Sequence, residues 1–144
     1  MNGTLDSGKY KSLICAALEA REKAYAPYSR FKVGAALLTS DNNIITGCNV
    51  ENASYPACNC AERTAIFKAI SVDKRSFEAI AIIAGKENQD IKDYTSPCGV
   101  CRQVLREFVN PEKFKVIMAK SQDDYKVATL EELLPLSFGP ENLA

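Results

Sequence analysis

Residues 77–119 read FEAIAIIAGKENQDIKDYTSPCGVCRQVLREFVNPEKFKVIMA. The continuous apolar run at residues 77–84 is too short for a long helix and predicts a strand covered on both faces. Pro97 precedes a helical pattern at residues 99–109, and a second apolar run follows at residues 115–119. The whole stretch therefore predicts a strand–helix–strand unit, whose parallel strands require a right-handed crossover.

The residues before this unit predict a hairpin and two helices. Residues 31–39 and 44–48 are short apolar runs around the turn-forming residues 41–43, Asp-Asn-Asn, and they predict two antiparallel strands. Apolar residues recur at helical spacing in residues 13–25 and again in residues 61–70. Each of these two segments therefore predicts a helix.

After the unit, residues 129–132 read TLEE and resemble a capping box, which predicts a short last helix before Pro135. Together, these elements predict an α/β protein whose mixed β-sheet is sandwiched between helices in three layers, α/β/α. No repeat, linker or low-complexity segment divides the chain, so we expect residues 1–144 to form a single domain.

Composition narrows the possible partners. The chain has 18 basic and 18 acidic side chains, a balance that disfavours nucleic acid and anionic membrane surfaces and favours a small-molecule partner. Residues 1–11 lack a basic segment followed by an apolar run, so we expect a cytoplasmic protein whose six cysteines stay reduced. The chain contains no histidine, which excludes mechanisms that use imidazole as base or ligand.

Three of the cysteines stand at predicted helix starts. Cys60 opens the helix at residues 61–70, while Cys98 and Cys101 open the next helix. The partial positive charge of a helix start favours thiolates, the form that binds zinc. Because three protein ligands leave one tetrahedral position for water, the pattern predicts a catalytic zinc site. Glu62 lies two residues past Cys60, close enough to reach that position without binding the metal.

Zinc with three thiolates carries a net negative charge, which nearby positive charges must partly balance. Arg63 and Arg102 each follow a proposed ligand, and we expect both to hydrogen-bond the thiolates. The other cysteines, Cys15, Cys48 and Cys58, are expected to be structural, because a buried free cysteine behaves as a small hydrophobe.

The ordered set of motifs resembles the free cytidine deaminases, which belong to the zinc nucleobase deaminases. The likeness extends over residues 13–143. The matching segments are YAPYS at residues 25–29, VGAALL at 33–38, GCNVEN at 47–52, CAERTA at 60–65, PCGVC at 97–101, CRQV at 101–104 and ELLP at 132–135.

The resemblance implies one zinc ion per subunit and the hydrolysis of cytidine to uridine and of deoxycytidine to deoxyuridine, with release of ammonia, as in pyrimidine salvage. Glu62 would carry protons between the activated water and the base. The residues that match family substrate contacts are Phe31 against the pyrimidine, Asn49 and Glu51 at the ribose, the Ala61 backbone at the base, and Tyr55 and Phe138 in a neighbouring subunit's site. A homotetramer is implied in the same way.

The sequence is compatible with three alternatives. A deaminase acting on bases within nucleic acid would need a basic groove and stacking aromatics. A related enzyme could deaminate a nucleoside antibiotic. A purely structural zinc module would add Cys58 to the three other thiolates and close the coordination sphere.

Overall fold

The computed structural model describes residues 6–144; residues 1–5, which the predicted domain includes, lie outside the described part. Its strands are β1 (Phe31–Thr39), β2 (Ile44–Cys48), β3 (Phe77–Lys86), β4 (Lys115–Ser121) and β5 (Asp124–Thr129). Its α-helices are α1 (Ser7–Arg21), α2 (Ala61–Ser71), α3 (Gly99–Phe108) and α4 (Leu130–Leu133). Single turns of 3-10 helix lie at Tyr55–Ala57 and Pro140–Asn142.

The strands form one mixed sheet in the order β2-β1-β3-β4-β5. β1 pairs antiparallel with both β2 and β3, and β5 pairs antiparallel with β4. β3 and β4 are parallel and are joined through α3, which confirms the predicted strand–helix–strand unit. β5 was not predicted, because this edge strand has no fully buried side chain and lacks an apolar run.

Helices cover both faces of the sheet, as predicted. One core lies under α1, and a larger core lies on the opposite face under α2 and α3. Two glycines allow this close packing. A Cβ on Gly34 would lie 1.9 Å from the Ala17 carbonyl oxygen of α1, and a Cβ on Gly47 would lie 2.5 Å from the Ala61 carbonyl oxygen of α2.

The first helix is offset from its predicted range of residues 13–25. It begins at Ser7, because the Asp6 side chain caps it by accepting a hydrogen bond from the Lys9 amide at 2.9 Å. It ends at Arg21, because Tyr25 is bonded instead to the chain beyond β2: its N–H donates to the Asn49 carbonyl at 2.9 Å. Its carbonyl accepts from the Glu51 amide at 2.8 Å. Tertiary pairing therefore overrides the helical pattern at this end.

The predicted capping box is present at α4, where the Thr129 and Glu132 side chains each bond the other residue's main chain. β3 continues past its predicted range of residues 77–84, because Gly85 and Lys86 pair with the first residues of β1. Within residues 6–144, no helix combines the length and the apolar character needed to cross a membrane.

Candidate active site

The starts of α2 and α3 bring three sulfur atoms together. Cys60 and Cys98 are the residues immediately before the two helices, and Cys101 lies in the first turn of α3. Their Sγ atoms all lie within 4.8 Å of one another, and those of Cys60 and Cys98 are 3.9 Å apart. Tetrahedral zinc with Zn–S bonds of about 2.3 Å requires sulfur atoms about 3.8 Å apart. The donor set therefore fits a zinc ion.

The cluster already favours the ionised form of one thiol. Arg63 donates from Nη2 to the Cys60 Sγ at 3.4 Å. A hydrogen bond from the Cys101 thiol, together with the Arg63 guanidinium, lowers the pKa of Cys60 to about 5. The same bond to Cys60, along with burial, raises the pKa of Cys101. The Arg63 guanidinium therefore stabilises a thiolate at Cys60.

Arg63 has a further donor available for the cluster. Its Nε is buried and has no hydrogen-bond partner among residues 6–144. When a metal binds, all ligating thiols must be ionised, and each becomes a stronger acceptor. A second thiolate would thus satisfy a donor that is otherwise costly to bury.

The prediction that Arg102 hydrogen-bonds a thiolate is wrong. Its guanidinium donates to the Pro97 carbonyl at 2.7 Å, to the Leu133 carbonyl at 2.6 Å and to the Ser96 hydroxyl at 3.0 Å. Because Arg102 follows Cys101 directly in α3, its side chain points in a different direction around the helix, toward the loop before α3 and the end of α4. Arg102 therefore fixes the loop that carries Cys98.

Cys58 does not belong to the sulfur cluster of the described residues. Its Sγ accepts from the Asn52 amide at 3.2 Å and contacts the Asn52 carbonyl at 3.6 Å. Cys58 thus stabilises the loop between β2 and α2. This geometry disfavours the closed four-thiolate module.

Glu62 is buried beside the sulfur atoms, with 4% of its surface exposed. Burial raises the pKa of Glu62 to about 7, since desolvation penalises the carboxylate. Its position in the first turn of α2 follows directly from its place two residues after Cys60. A carboxyl group that changes protonation near neutral pH is suited to accept and return a proton.

A cavity of about 720 Å³ opens beside the cluster. This volume lies within the range usual for small-molecule sites. Its lining residues come from the start of β1, the segment after β2, the start of α2 and the loop before α3. Of the residues predicted for the site, it brings together Phe31, Asn49, Glu51, Tyr55, Cys60, Glu62, Arg63 and Cys98.

Asn49 and Glu51 are fixed by main-chain groups around β1. The Asn49 amide accepts from the Val33 N–H at 2.8 Å and donates to the Phe31 carbonyl at 2.8 Å, so it mimics a strand neighbour. The Glu51 carboxylate accepts from the Tyr28 and Ser29 N–H groups at 3.0 and 3.2 Å. Hydrogen bonds from the Ser29 side chain and from this main chain lower the pKa of Glu51.

Two of the predicted substrate contacts do not line the cavity. Ala61 is completely buried under β2 and does not line the cavity. Phe138 is 57% exposed beside α3, where its carbonyl accepts from the Gln103 side chain at 2.9 Å, and it also lies outside the cavity. Tyr55, by contrast, lines its own chain's cavity while remaining 71% exposed.

Sequence reasoning missed several polar lining residues, including Ser29, Asn59, Thr95 and Ser96. Ser29 belongs to the YAPYS segment, so that motif was an available signal. The other three lie in turn-rich segments whose composition does not distinguish a lining residue from an ordinary loop residue.

Comparison with known proteins gives one consistent result. Residues 7–118 match the family described as "Cytidine and deoxycytidylate deaminase zinc-binding region". A cytidine deaminase of Sporosarcina psychrophila is 47% identical over 134 residues, which are 93% of this chain and 94% of that protein. A cytidine deaminase of Halalkalibacterium halodurans is 50% identical over 131 residues, which are 91% of this chain and 95% of that protein.

Solved structures agree. The crystal structure of cytidine deaminase from Burkholderia pseudomallei superposes with a TM-score of 0.80 at 50% identity, covering 88% of this chain and 97% of that one. The cytidine deaminase of Mycobacterium tuberculosis superposes with a TM-score of 0.76 at 37% identity, covering 90% and 97%.

Proposed function

Because the chain belongs to the cytidine and deoxycytidylate deaminase family, as a zinc-dependent cytidine deaminase, we propose that it hydrolyses both free cytidine and free 2′-deoxycytidine in pyrimidine salvage. The products are uridine or 2′-deoxyuridine and ammonia. One observation carries the proposal: the buried Glu62 lines a cavity of about 720 Å³ together with Cys60 and Cys98, two of the three clustered cysteines.

Cys60, Cys98 and Cys101 would hold one zinc ion per subunit. When bound, the zinc supplies Lewis acidity that lowers the pKa of a water molecule and so provides a nucleophile at neutral pH. Arg63 would offset the negative charge of the three thiolates through its hydrogen bond to Cys60.

Glu62 would carry the protons of the reaction. It accepts a proton from the water and delivers it to ring nitrogen N3, which makes C4 more electrophilic. The water oxygen then bonds to C4. Glu62 next takes the second proton of that oxygen and passes it to the exocyclic nitrogen, so that the C4–N bond breaks and ammonia leaves. The pKa of about 7 at Glu62 supports this role, since both protonation states are accessible near neutral pH.

Asn49 and Glu51 would bind a sugar hydroxyl between them. One N–H of the Asn49 amide bonds the Phe31 carbonyl, which leaves its second N–H as a donor. The Glu51 carboxylate can only accept, so a hydroxyl could accept from Asn49 while donating to Glu51. Phe31 would pack against the pyrimidine and the Ala61 main chain would contact the base. A hydroxyl retained by deoxycytidine, such as the 3′ one, would allow both nucleosides to bind.

Charge supports a free nucleoside over a nucleotide or nucleic acid. Arg63 is the only lysine or arginine among the described residues that line the cavity, and it is engaged with Cys60. Glu51 adds a negative charge at the sugar end. A phosphate would therefore be desolvated near a carboxylate without a free cation to pair with.

We also propose a homotetramer in which Tyr55 and Phe138 reach a neighbouring subunit's site. The exposure of these aromatic side chains, 71% and 57%, and of Leu143 at 81%, supports an apolar contact between copies. The six free cysteines support a reducing, cytoplasmic location. Light scattering of the zinc-loaded protein measures the assembly directly.

The function is tested by comparing substrates with one preparation of the protein. Purified protein with its zinc content measured is mixed separately with cytidine, deoxycytidine, cytosine, CMP and single-stranded DNA, and ammonia release is followed. We expect ammonia release from cytidine and deoxycytidine, and none from CMP or DNA. Preferred turnover of DNA or CMP, or zinc-loaded protein inactive on both nucleosides, would contradict it.

A further inference from the structure

The turn before β1, at residues 28–29, makes three hydrogen bonds to the side chain of Glu51. Glu51 comes from the segment after β2, yet its carboxylate is held by the turn at residues 28–29. Two of its partners are main-chain N–H groups, from Tyr28 and Ser29. The third is the Ser29 hydroxyl, which donates to Oε2 at 2.5 Å.

The Ser29 hydroxyl also has a second bond. Its oxygen accepts from the Phe31 N–H at 3.0 Å. Phe31 is the first residue of β1 and lines the same cavity, as do Ser29 and Glu51. One hydroxyl therefore links the residue proposed to pack on the base with the residue proposed to bind the sugar.

We propose that Ser29 is a positioning residue that sets the Glu51 carboxylate for a sugar hydroxyl, an inference that rests on the proposed function. An ionised carboxylate offers about four lone-pair sites. Three are used by Tyr28 and Ser29, which leaves about one for a ligand. The turn thus leaves Glu51 with a single directed acceptor, which selects a substrate hydroxyl over an acceptor-only group.

Ser29 is separable from the main-chain bonds that hold the same turn. In Ser29→Ala, the Tyr28 and Ser29 amides still bond Glu51, while Oε2 loses its fixed partner and the Phe31 N–H loses its acceptor. Ser29→Thr retains the hydroxyl and is the rescue variant. Ser40→Ala is the matched control, because Ser40 is also exposed and bonds a single side chain, Ser76 at 2.7 Å, beyond the opposite end of β1.

The test compares kcat and KM for cytidine and for 3′-deoxycytidine, which lacks the hydroxyl proposed to donate to Glu51. For Ser29→Ala we expect KM for cytidine to rise roughly threefold to tenfold, the usual effect of one hydrogen bond, with little change in kcat. KM for 3′-deoxycytidine should change less than about twofold, since that substrate does not use the bond. Ser29→Thr should restore the cytidine KM, and Ser40→Ala should match wild type with both substrates.

The outcomes separate this inference from the function on which it rests. Equal loss with both substrates, or loss confined to kcat, would mean that Ser29 acts on general structure and would overturn the positioning role while wild-type activity stands. An unchanged cytidine KM would overturn it as well. Wild-type protein that releases no ammonia from cytidine would instead overturn the proposed function, and this inference with it. Melting temperature and zinc content, measured for each variant, identify a folding defect.

Discussion

Replacing Gly47 with alanine would force apart the strand and helix that form one side of the site. A Cβ at this position would lie 2.5 Å from the Ala61 carbonyl oxygen and 2.5 Å from the Ala65 amide nitrogen, both main-chain atoms of α2. Ordinary contacts are about 3.5 Å or longer. Since helix backbone cannot rotate away as a side chain can, β2 and α2 must separate by about 1 Å.

The expected cost follows from this overlap. Overpacking of a filled core costs about 1–3 kcal/mol. Alanine recovers about 0.4–1 kcal/mol by restricting the unfolded chain, so the middle of the two ranges leaves a net loss of about 1–2 kcal/mol. With an unfolding entropy of about 2.1 cal/mol/K per residue over 144 residues, the melting temperature should fall by about 3–7 °C. A shift of this size in α2 can also lower kcat by roughly 10²-fold, because the same helix carries Glu62.

Calorimetry of the zinc-loaded variant, with kcat measured on the same sample, gives both quantities. Gly99→Ala is the matched control, because a Cβ at Gly99 meets nothing within 4 Å and alanine favours a helix. The control should therefore melt at or above the wild-type temperature. A Gly47→Ala protein that melts with the wild type and retains its kcat would refute the packing explanation.

Three further predictions concern single side chains. Glu62→Gln should keep its zinc while kcat falls by roughly 10²-fold or more, and near-native turnover would show that another group moves the protons. Cys58→Ser should retain full zinc and activity, because the Cys58 sulfur lies outside the cluster, so loss of metal would instead support a four-thiolate site. The Lys74 ammonium lowers the pKa of Asp41 to about 2, below its ordinary 3.8, so this pair stabilises the folded protein above pH 4 and ceases to do so as the pH falls toward 2. The urea midpoint of Asp41→Asn should therefore lie below that of wild type at pH 6 and meet it near pH 2, and a constant gap would contradict the linkage.

The hydrophobic pattern of the sequence predicted the strands and helices that are buried on one face or on both. The bounds of β1 and β2 agree with the predicted ranges, because apolar runs on either side of the Asp-Asn-Asn turn define both strands. The end of α1 and the whole of β5 could not be predicted in the same way. Tyr25 leaves the helix to bond Asn49, and β5 depends on pairing with β4 rather than on burial.

In the site, too, local sequence pattern predicted some features, while others depend on contacts between distant segments. Three cysteines at two helix starts were sufficient to predict a cluster, because helix starts position the residues before and after them. The directions of long side chains were not available from the sequence. Arg102 reaches the Leu133 carbonyl, and Glu51 reaches the turn at residues 28–29, through contacts far apart in the chain. Such bonds depend on which segments the fold brings together.

Main-chain contacts join the proposed sugar-binding residues, Asn49 and Glu51, to the start of α2, which carries Glu62. For this reason a substitution at Gly47 should change kcat. Val50, between the proposed sugar-binding residues, exchanges two main-chain hydrogen bonds of 2.9 Å with Asn59, immediately before Cys60. Gly47 packs β2 directly on the first turn of α2, two residues before Asn49, the first of the proposed sugar-binding residues. The distance between the proposed sugar-binding groups and Glu62 is therefore set largely by main-chain contacts. A side chain added at Gly47 should therefore impair kcat although no residue proposed to contact the nucleoside is itself replaced.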